Sequence, residues 1–227
     1  MDPYQNPYSS TVARPTTAAL TTNRLIRNTY LLLSLTLLFS AGMAGVAIVN
    51  QAPPMVWWMV LIGYFGLLFL TNALRNSAWG LVSIFALTGF MGYTLGPIIS
   101  LYLALPNGPH IVMTALGATG AIFLALSGYA LVSRRNFSFL SGFLMVGILV
   151  AFLAGLAAIF FHITGLSLAV SAMFVLLMSG MILFETSQIV NGGETNYIMA
   201  TITLYISLYN LFLSLLQLIA AFSGNDR

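Results

Sequence analysis

Seven long apolar runs constrain this sequence more than any other feature. A bilayer core about 30 Å thick is crossed by a helix of roughly 20 apolar residues, and backbone polar groups in lipid must be paired within the spanning segment. The chain is 59% hydrophobic and only 5% charged. We therefore predict an all-α integral membrane protein with seven transmembrane helices, at approximately 28–49, 55–74, 79–104, 110–132, 138–161, 166–190 and 198–222.

The segment before the first run is polar and reads MDPYQNPYSSTVARPTTAALTTN, residues 1–23. It lacks the apolar core of a signal peptide, and its Pro, Ser and Thr content predicts a flexible polar tail. The connections between the apolar runs are short, so residues 24–227 are predicted to form a single seven-helix transmembrane domain.

Arginine placement predicts the orientation of this domain. The chain has no lysine, and six of its seven arginines precede the first run or lie in the second and fourth connections. Positive residues are retained on the cytoplasmic side of a membrane, so we predict a cytoplasmic N-terminus and an outside C-terminus. The arginines on the predicted cytoplasmic side are Arg14, Arg24, Arg27, Arg75, Arg134 and Arg135, and the exception is Arg227.

An acidic residue, Glu185, lies inside the sixth apolar run in the stretch ILFETSQIV. It is about five residues before the cytoplasmic end of that run, or roughly 8 Å deep. Acids within membrane helices are costly and usually face protein or a water-filled cavity. Glu185 is thus a candidate titratable or ion site, and the alternative is a carboxylate that extends to the membrane interface.

The seventh run carries a polar stripe that recurs at intervals of 4, 3, 4 and 3 residues. This spacing places the stripe on one face of a helix, where it should contact other helices or water. Either a water-accessible site or structural helix–helix hydrogen bonding would explain it. We expect Thr203, Tyr205 and Ser207 to be the nearest neighbours of Glu185. The stripe comprises Thr203, Ser207, Asn210, Ser214 and Gln217.

Small residues at helical spacing predict close helix packing in two other runs. Gly89, Gly92 and Gly96 share a face of the third run. A second set in the fourth run, which we call the α4 stripe, comprises Gly117, Ala121, Ala125 and Gly128.

Catalytic chemistry is not expected. The chain has no cysteine, and its two histidines, His110 and His162, lie at the outer ends of predicted helices. Neither can therefore serve as a deep base for a serine nucleophile, and two histidines make a metal centre improbable. We predict no catalytic residues, no metal, no cofactor and no nucleic-acid partner.

Several segments together resemble the Bax inhibitor family, also called TMBIM. They are ILFETSQIVNGGETNYIMAT and LYISLYNLFLSLL near the end of the chain, and RNTYLLLSLTLLFSA, ALTGFMGYTLGPIISLY and FSFLSGFLMVGILV before them. The likeness covers about residues 24–222 and is closest to the bacterial YccA branch. It implies seven helices, with the last helix central and surrounded by the others.

The resemblance also implies a function and a partner. Proteins of the YccA branch look like non-enzymatic modulators of the membrane protease FtsH, in the bacterial inner membrane. The branch implies that this chain binds FtsH and restrains its attack on other membrane proteins, and that the N-terminal tail is the part the protease grips. The resemblance leaves the oligomeric state open.

Other family members are pH-sensitive calcium leaks, which imply a second function. Their site pairs two acids with an arginine latch. Here Glu185 matches the first acid, Ser207 stands at the second position, Gly63 replaces a further acid, and Arg75 lies near the latch position. Calcium prefers about six to eight oxygen ligands with several carboxylates, so any calcium site here would be weak. A cation or proton leak gated at Glu185 is the alternative to the favoured protease regulator.

Overall fold

The computed structural model describes residues 15–223 of the chain, with side chains described from Leu20 onwards. This part of the chain folds into seven α-helices, each long and apolar enough to cross a membrane, and it contains no strand. The predicted all-α, seven-helix architecture is confirmed. The helices are α1 Pro15–Val49, α2 Trp57–Leu74, α3 Trp79–Leu103, α4 Gly108–Ser133, α5 Leu140–Phe160, α6 Thr164–Asn191 and α7 Tyr197–Ser223.

Helix α1 begins at Pro15, within the segment that was predicted to be a flexible tail. Proline suits the first turn of a helix because its missing N–H has no partner there anyway, and no glycine or second proline interrupts residues 16–41. Residues 15–23 are thus helical. The rest of the predicted tail, residues 1–14, lies outside the described residues.

Helix α7 occupies the centre of the bundle. It packs against α6, α4, α1 and α3, and together with α3 it is the most buried of the seven helices. Helices α2 and α5 are the least buried, and they pack mainly on α3 and α6 respectively. The central, polar-striped helix α7 is therefore surrounded by four helices, and α2 and α5 form an outer layer, so the expectation that all the other helices surround α7 is wrong for these two.

The glycines of α3 allow α1 to approach closely, as predicted. A Cβ atom at Gly92 would collide with the carbonyl group of Ser40, and one at Gly96 would collide with the Cβ of Ala47. The α1–α3 pair is the most extensive helix contact in the described bundle.

The predicted packing role of the α4 stripe is wrong within this chain. A Cβ atom at Gly117 or Gly128 would have no atom of another helix within 4 Å, and Gly117, Ala121 and Ala125 are exposed. Helix α4 instead uses its other face, through Ile111, Ala115 and Thr119, to contact its neighbours. Spacing indicates that a close approach is sterically allowed, but it does not show that a partner helix is present.

Candidate functional site

Glu185 is buried in the protein, near the C-terminal end of α6. Its side chain is 6% exposed, and its Oε1 atom is inaccessible to solvent and has no hydrogen-bond partner among the described residues. The carboxyl group thus faces the bundle interior, and its buried oxygen retains an unused capacity to accept a hydrogen bond. A buried polar atom without a partner is unfavourable, and among the described residues Glu185 Oε1 shares this condition only with Thr29 Oγ1.

The two residues that follow Glu185 are also buried, and both have partners. Thr186 Oγ1 lies 3.1 Å from Ser127 Oγ of α4 and 3.3 Å from the Tyr30 hydroxyl of α1. Ser187 Oγ donates to the Arg135 carbonyl at 2.9 Å and accepts from the Phe137 N–H at 3.0 Å. The end of α6 is therefore joined to α1, α4 and the α4–α5 loop, while Glu185 remains unpaired.

The polar stripe of α7 faces inward, but its members Thr203, Ser207 and Asn210 hydrogen-bond to carbonyl groups of α7 itself. Ser207 is 1% exposed, and its hydroxyl donates to the Thr203 carbonyl at 2.8 Å. Thr203 donates to the Met199 carbonyl, and Asn210 donates to the Ile206 carbonyl. Such bonds to the preceding turn need no partner helix. In the described structure none of these side chains hydrogen-bonds to Glu185.

Tyr205 lies on a different face of α7 from the stripe. Its hydroxyl oxygen is 2.6 Å from Ser40 Oγ of α1, and it also donates to the Thr88 carbonyl of α3 at 3.3 Å. Residues two positions apart in a helix point about 200° apart around its axis, so the Tyr205 side chain cannot point in the same direction as that of Thr203. The structure brings Tyr205 to α1 and α3 rather than to Glu185.

Gln217 and Ser214 form the other end of the stripe. The Gln217 amide donates to Ser167 Oγ at 2.6 Å and accepts from Ser171 Oγ at 2.7 Å, so α6 and α7 are joined by a fully paired side chain. Ser214 and Gln217 also line a cavity of about 280 Å³ between α5, α6 and α7. Ser167 and Ser171 were not singled out from the sequence, although their spacing of four residues places them on one face of α6.

Arg75, the candidate latch, does not reach Glu185. Its exposed guanidinium donates to Asn72 Oδ1 at 3.3 Å, and within residues 20–223 it forms no ion pair with the buried acid. Arg75 follows the last residue of α2, one of the least buried helices, so its side chain starts from the periphery of the bundle. Its carbonyl group, by contrast, is used by a residue of the α6–α7 loop.

That residue is Asn196, which belongs to a set of polar residues that was not predicted from the sequence. Asn196 Oδ1 accepts from the N–H groups of Ile198 and Met199, as an N-cap of α7 does. Its Nδ2 atom donates to the Arg75 carbonyl at 3.0 Å and to Asn76 Oδ1 at 2.9 Å. One side chain thus starts the central helix and holds the α2–α3 loop.

Asn191 performs a similar task for the α4–α5 loop. Its Nδ2 atom donates to the Arg135 carbonyl at 3.3 Å, the same carbonyl that Ser187 contacts. We call Ser187, Asn191 and Asn196 the interloop cluster. Ser187 and Asn191, in the last turns of α6, hold the α4–α5 loop, and Asn196, in the α6–α7 loop, holds the α2–α3 loop. The stretch NGGETN carried a signal for it, since asparagine immediately before an apolar run is a helix N-cap pattern.

The glycines and acid of NGGETN complete this loop. Gly192 ends α6 in the left-handed conformation, with φ of 77°, which glycine adopts at low cost. Glu194 Oε1 accepts from the N–H groups of Thr195 and Asn196 at 2.7 and 2.6 Å. Glu194 is also close enough to interact electrostatically with Glu185. No group of three His, Asp or Glu side chains gathers around a common point in the described part of the chain.

Comparison with known proteins places this architecture in a family. The family model described as "Inhibitor of apoptosis-promoting Bax1" matches residues 22–224, which is nearly all of the membrane domain. The chain belongs to the Bax inhibitor family. The segments whose resemblance pointed to this family include the α6–α7 region that holds Glu185 and the interloop cluster.

Individual members of the Bax inhibitor family are similar to the chain over most of their length. An uncharacterized protein of Pseudomonas aeruginosa is 56% identical over 202 residues, 89% of this chain and 91% of the relative. The Escherichia coli K12 protein named "Modulator of FtsH protease YccA" is 49% identical over 210 residues, 92% of this chain and 95% of the relative. A relative of the same identity from a second Escherichia coli strain is named "Inner membrane protein YccA". The chain is thus a multi-pass membrane protein related to a protease regulator.

Proposed function

We propose that this protein is a non-catalytic regulator in the bacterial inner membrane that binds the protease FtsH and restrains its attack on other membrane proteins. The observation that carries the proposal is the 49% identity to the Escherichia coli modulator of FtsH, which extends over 95% of that protein. At this identity and coverage, the two chains share the whole membrane domain rather than one motif.

The interloop cluster supports this proposal from the structure. It ties the α2–α3 and α4–α5 loops to the end of α6 and the loop that follows it. This end of the bundle, which we call the arginine end, carries five exposed arginines: Arg24, Arg27, Arg75, Arg134 and Arg135. The bonded residues are as many as 121 positions apart in the chain. Loops tied to each other present a preorganised surface, and preorganisation lowers the cost of binding a partner.

A reconstituted degradation assay tests the proposed restraint. FtsH, a membrane-protein substrate and increasing amounts of this protein would be placed in the same proteoliposomes. We expect the rate of substrate degradation to fall as the ratio of this protein to FtsH rises, with an unrelated seven-helix protein as the control. A degradation rate that is independent of this protein up to a large excess would overturn the proposal.

The N-terminal tail provides a separate test of how FtsH engages the chain. Because α1 begins at Pro15, deletion of residues 1–14 removes the tail without shortening any described helix. If the tail is the part that FtsH grips, the deletion should slow turnover of this protein by FtsH. Unchanged turnover would exclude residues 1–14 as the part that FtsH grips. It would not bear on the restraint of other substrates, which the degradation assay tests separately.

A pH-sensitive cation or proton leak is the second candidate function, and the unpaired buried oxygen of Glu185 favours it. Protein in liposomes should then pass protons or calcium at a rate that depends on pH. Glu185→Gln should remove that dependence, because the amide cannot titrate. Glu194→Gln is the matched control, since Glu194 is the only other acid among residues 15–223. Equal, pH-dependent flux in wild type and Glu185→Gln would remove Glu185 from the mechanism.

A further inference from the structure

A groove of about 380 Å³ opens at the arginine end, between α1 and the C-terminal ends of α4 and α6. Its polar lining comes from Thr22, Asn23, Asn191 and Arg134, and its apolar wall includes Ile26 and Leu131. None of the described residues that line it is acidic. The groove therefore combines one positive charge, several hydrogen-bonding groups and an apolar side.

Arg134 is held in place by its backbone while its side chain remains unpaired. It follows the last residue of α4 in the left-handed conformation, with φ of 50° and its N–H bonded to the Ala130 carbonyl. This conformation is unfavourable for a residue with a branched or long side chain. The next carbonyl, of Arg135, is fixed by Ser187 and Asn191. The guanidinium itself has no hydrogen-bond or ion-pair partner within residues 20–223.

The position of the groove indicates which part of the membrane it would contact. It lies where the membrane-spanning helices α4 and α6 end, which is the depth of lipid headgroups. Basic pockets between transmembrane helices on the cytoplasmic side of a membrane suit anionic headgroups. Guanidinium is also the side-chain group that best matches phosphate.

We propose that this groove binds the phosphate-bearing headgroup of an anionic phospholipid. Arg134 pairs with the phosphate, and Thr22 and Asn23 donate to its oxygens. Asn191 Nδ2 is already bonded to Ser187 and the Arg135 carbonyl, so its Oδ1 accepts from a headgroup hydroxyl, while Ile26 and Leu131 contact the glycerol and upper acyl region. The bound lipid bridges α1 to α4 and α6 beside the interloop cluster. This site is independent of FtsH binding, so the two proposals fail separately.

Lipid binding to the purified full-length protein tests this site. Native mass spectrometry would measure the affinity for phosphatidylglycerol and, separately, for zwitterionic phosphatidylethanolamine. We expect preference for phosphatidylglycerol, and we expect Arg134→Gln to weaken its binding about fivefold, as loss of one basic contact near an anionic headgroup does. Arg134→Lys should restore most of the affinity because it keeps the charge.

Arg24→Gln is the matched control. Arg24 is exposed at the same level of α1, but it does not line the groove. It lies about 160° around the helix from Thr22 and Ile26 and about 100° from Asn23, so its loss should change phosphatidylglycerol affinity less than twofold. An equal effect of Arg24→Gln and Arg134→Gln would show only general surface attraction and would overturn the site. So would unchanged binding by Arg134→Gln, or equal affinity for the two lipids.

A competition experiment and a second variant provide further tests of the groove. Soluble glycerol phosphate should not displace the lipid; full displacement would make this a site for soluble phosphates and overturn the lipid assignment. If Arg134→Gln does not fold, Asn23→Asp places a negative charge in the groove and leaves Arg134 intact. That variant should bind phosphatidylglycerol more weakly than wild type, and unchanged binding would count against the groove.

Discussion

The two ends of the helix bundle are built differently. At the arginine end, side chains of the interloop cluster tie the α2–α3 and α4–α5 loops to the α6–α7 loop and to the end of α6, which are distant from them in sequence. At the opposite end, the loops at 50–56, 104–107 and 161–163 close through local backbone bonds, such as Ala52 N–H to the Ala47 carbonyl. Among the described residues, no side-chain hydrogen bond joins one of these opposite-end loops to another.

Because the two ends are bonded differently, a local structural change would spread differently at each end. An opposite-end loop can alter its conformation with little effect on the others, because its bonds are to its own flanking helices. At the arginine end, a change in the α2–α3 loop reaches the α6–α7 loop and the start of α7 through Asn196. A change in the α4–α5 loop reaches the end of α6 through Ser187 and Asn191. A partner that contacts either loop therefore also acts on the helices that flank the α6–α7 loop.

Loss of Asn196 should have the largest effect on stability. Asn196→Ala removes an N-cap, which typically contributes about 1 kcal/mol, and two bonds to the α2–α3 loop, which contribute roughly 0.5–1 kcal/mol each when partly exposed. We expect about 2 kcal/mol of destabilisation in a reversible unfolding measurement in micelles. The comparison residue is Asn107 at the opposite end, which has a positive φ and no side-chain cap bond. Asn107→Gly should cost less than about 0.5 kcal/mol, and equal losses for the two variants would remove the contrast between the ends.

Ser187→Ala should have the next largest effect, about 1–1.5 kcal/mol, because it leaves the Phe137 N–H and one bond to the Arg135 carbonyl unmade. Hydrogen exchange at the Phe137 amide reports the change locally and should accelerate. Ser34→Ala is the control, since Ser34 is exposed and donates only to its own-helix Tyr30 carbonyl. If Phe137 exchanges at the wild-type rate in Ser187→Ala, the α4–α5 loop is not held as described.

Gln217→Leu should destabilise the protein by about 1 kcal/mol or less, because Ser171 retains its bond to the Ser167 carbonyl and the leucine gains apolar contact. This change lies in the half of the α6–α7 interface away from the interloop cluster. Amide exchange at the arginine-end loops should therefore stay at wild-type rates, and faster exchange at Phe137 or Asn196 would mean that the two ends are coupled through α7.

Glu185→Gln should change stability least, by about 0.5 kcal/mol or less. The substitution keeps the shape of the side chain and removes a group whose charged form is costly to bury. Unfolding in micelles at neutral pH measures the difference. A loss of several kcal/mol would show that the ionised carboxylate has a partner that stabilises the fold, contrary to the unpaired Oε1 of the structure.

The membrane architecture could be predicted from sequence because its cause is local. Each apolar run is long enough to span a bilayer. A polar residue inside such a run is unfavourable against lipid and therefore faces inward, as Glu185 and Ser207 do. The resemblance to the Bax inhibitor family was confirmed, and with it the central position of α7. The spans and the inward-facing residues follow from composition and periodicity, whereas the central position of α7 was implied by the family resemblance.

Pairings between elements could not be predicted in the same way. The small residues of α3 around Gly92 and those of the α4 stripe around Gly117 have similar helical spacing. The α3 set nevertheless contacts α1, whereas the α4 stripe faces outward. Tyr205 was grouped with Thr203 by depth, but its direction around α7 takes it to Ser40. The interloop cluster depends on which loops meet in space. Its acceptors include the backbone carbonyls of Arg75 and Arg135, and because every residue has such a carbonyl, the residue type does not indicate which one is used.

Co-purification at native expression levels measures most directly whether this protein is a partner of FtsH. The chromosomal copy would carry a C-terminal tag, because the N-terminal tail is the proposed handle, and the membranes would be solubilised gently before capture. We predict that FtsH is retained with the tagged protein and is absent from a capture through an unrelated tagged seven-helix protein. Absence of FtsH from the capture, when both proteins are present in the same membranes, would contradict the proposed function.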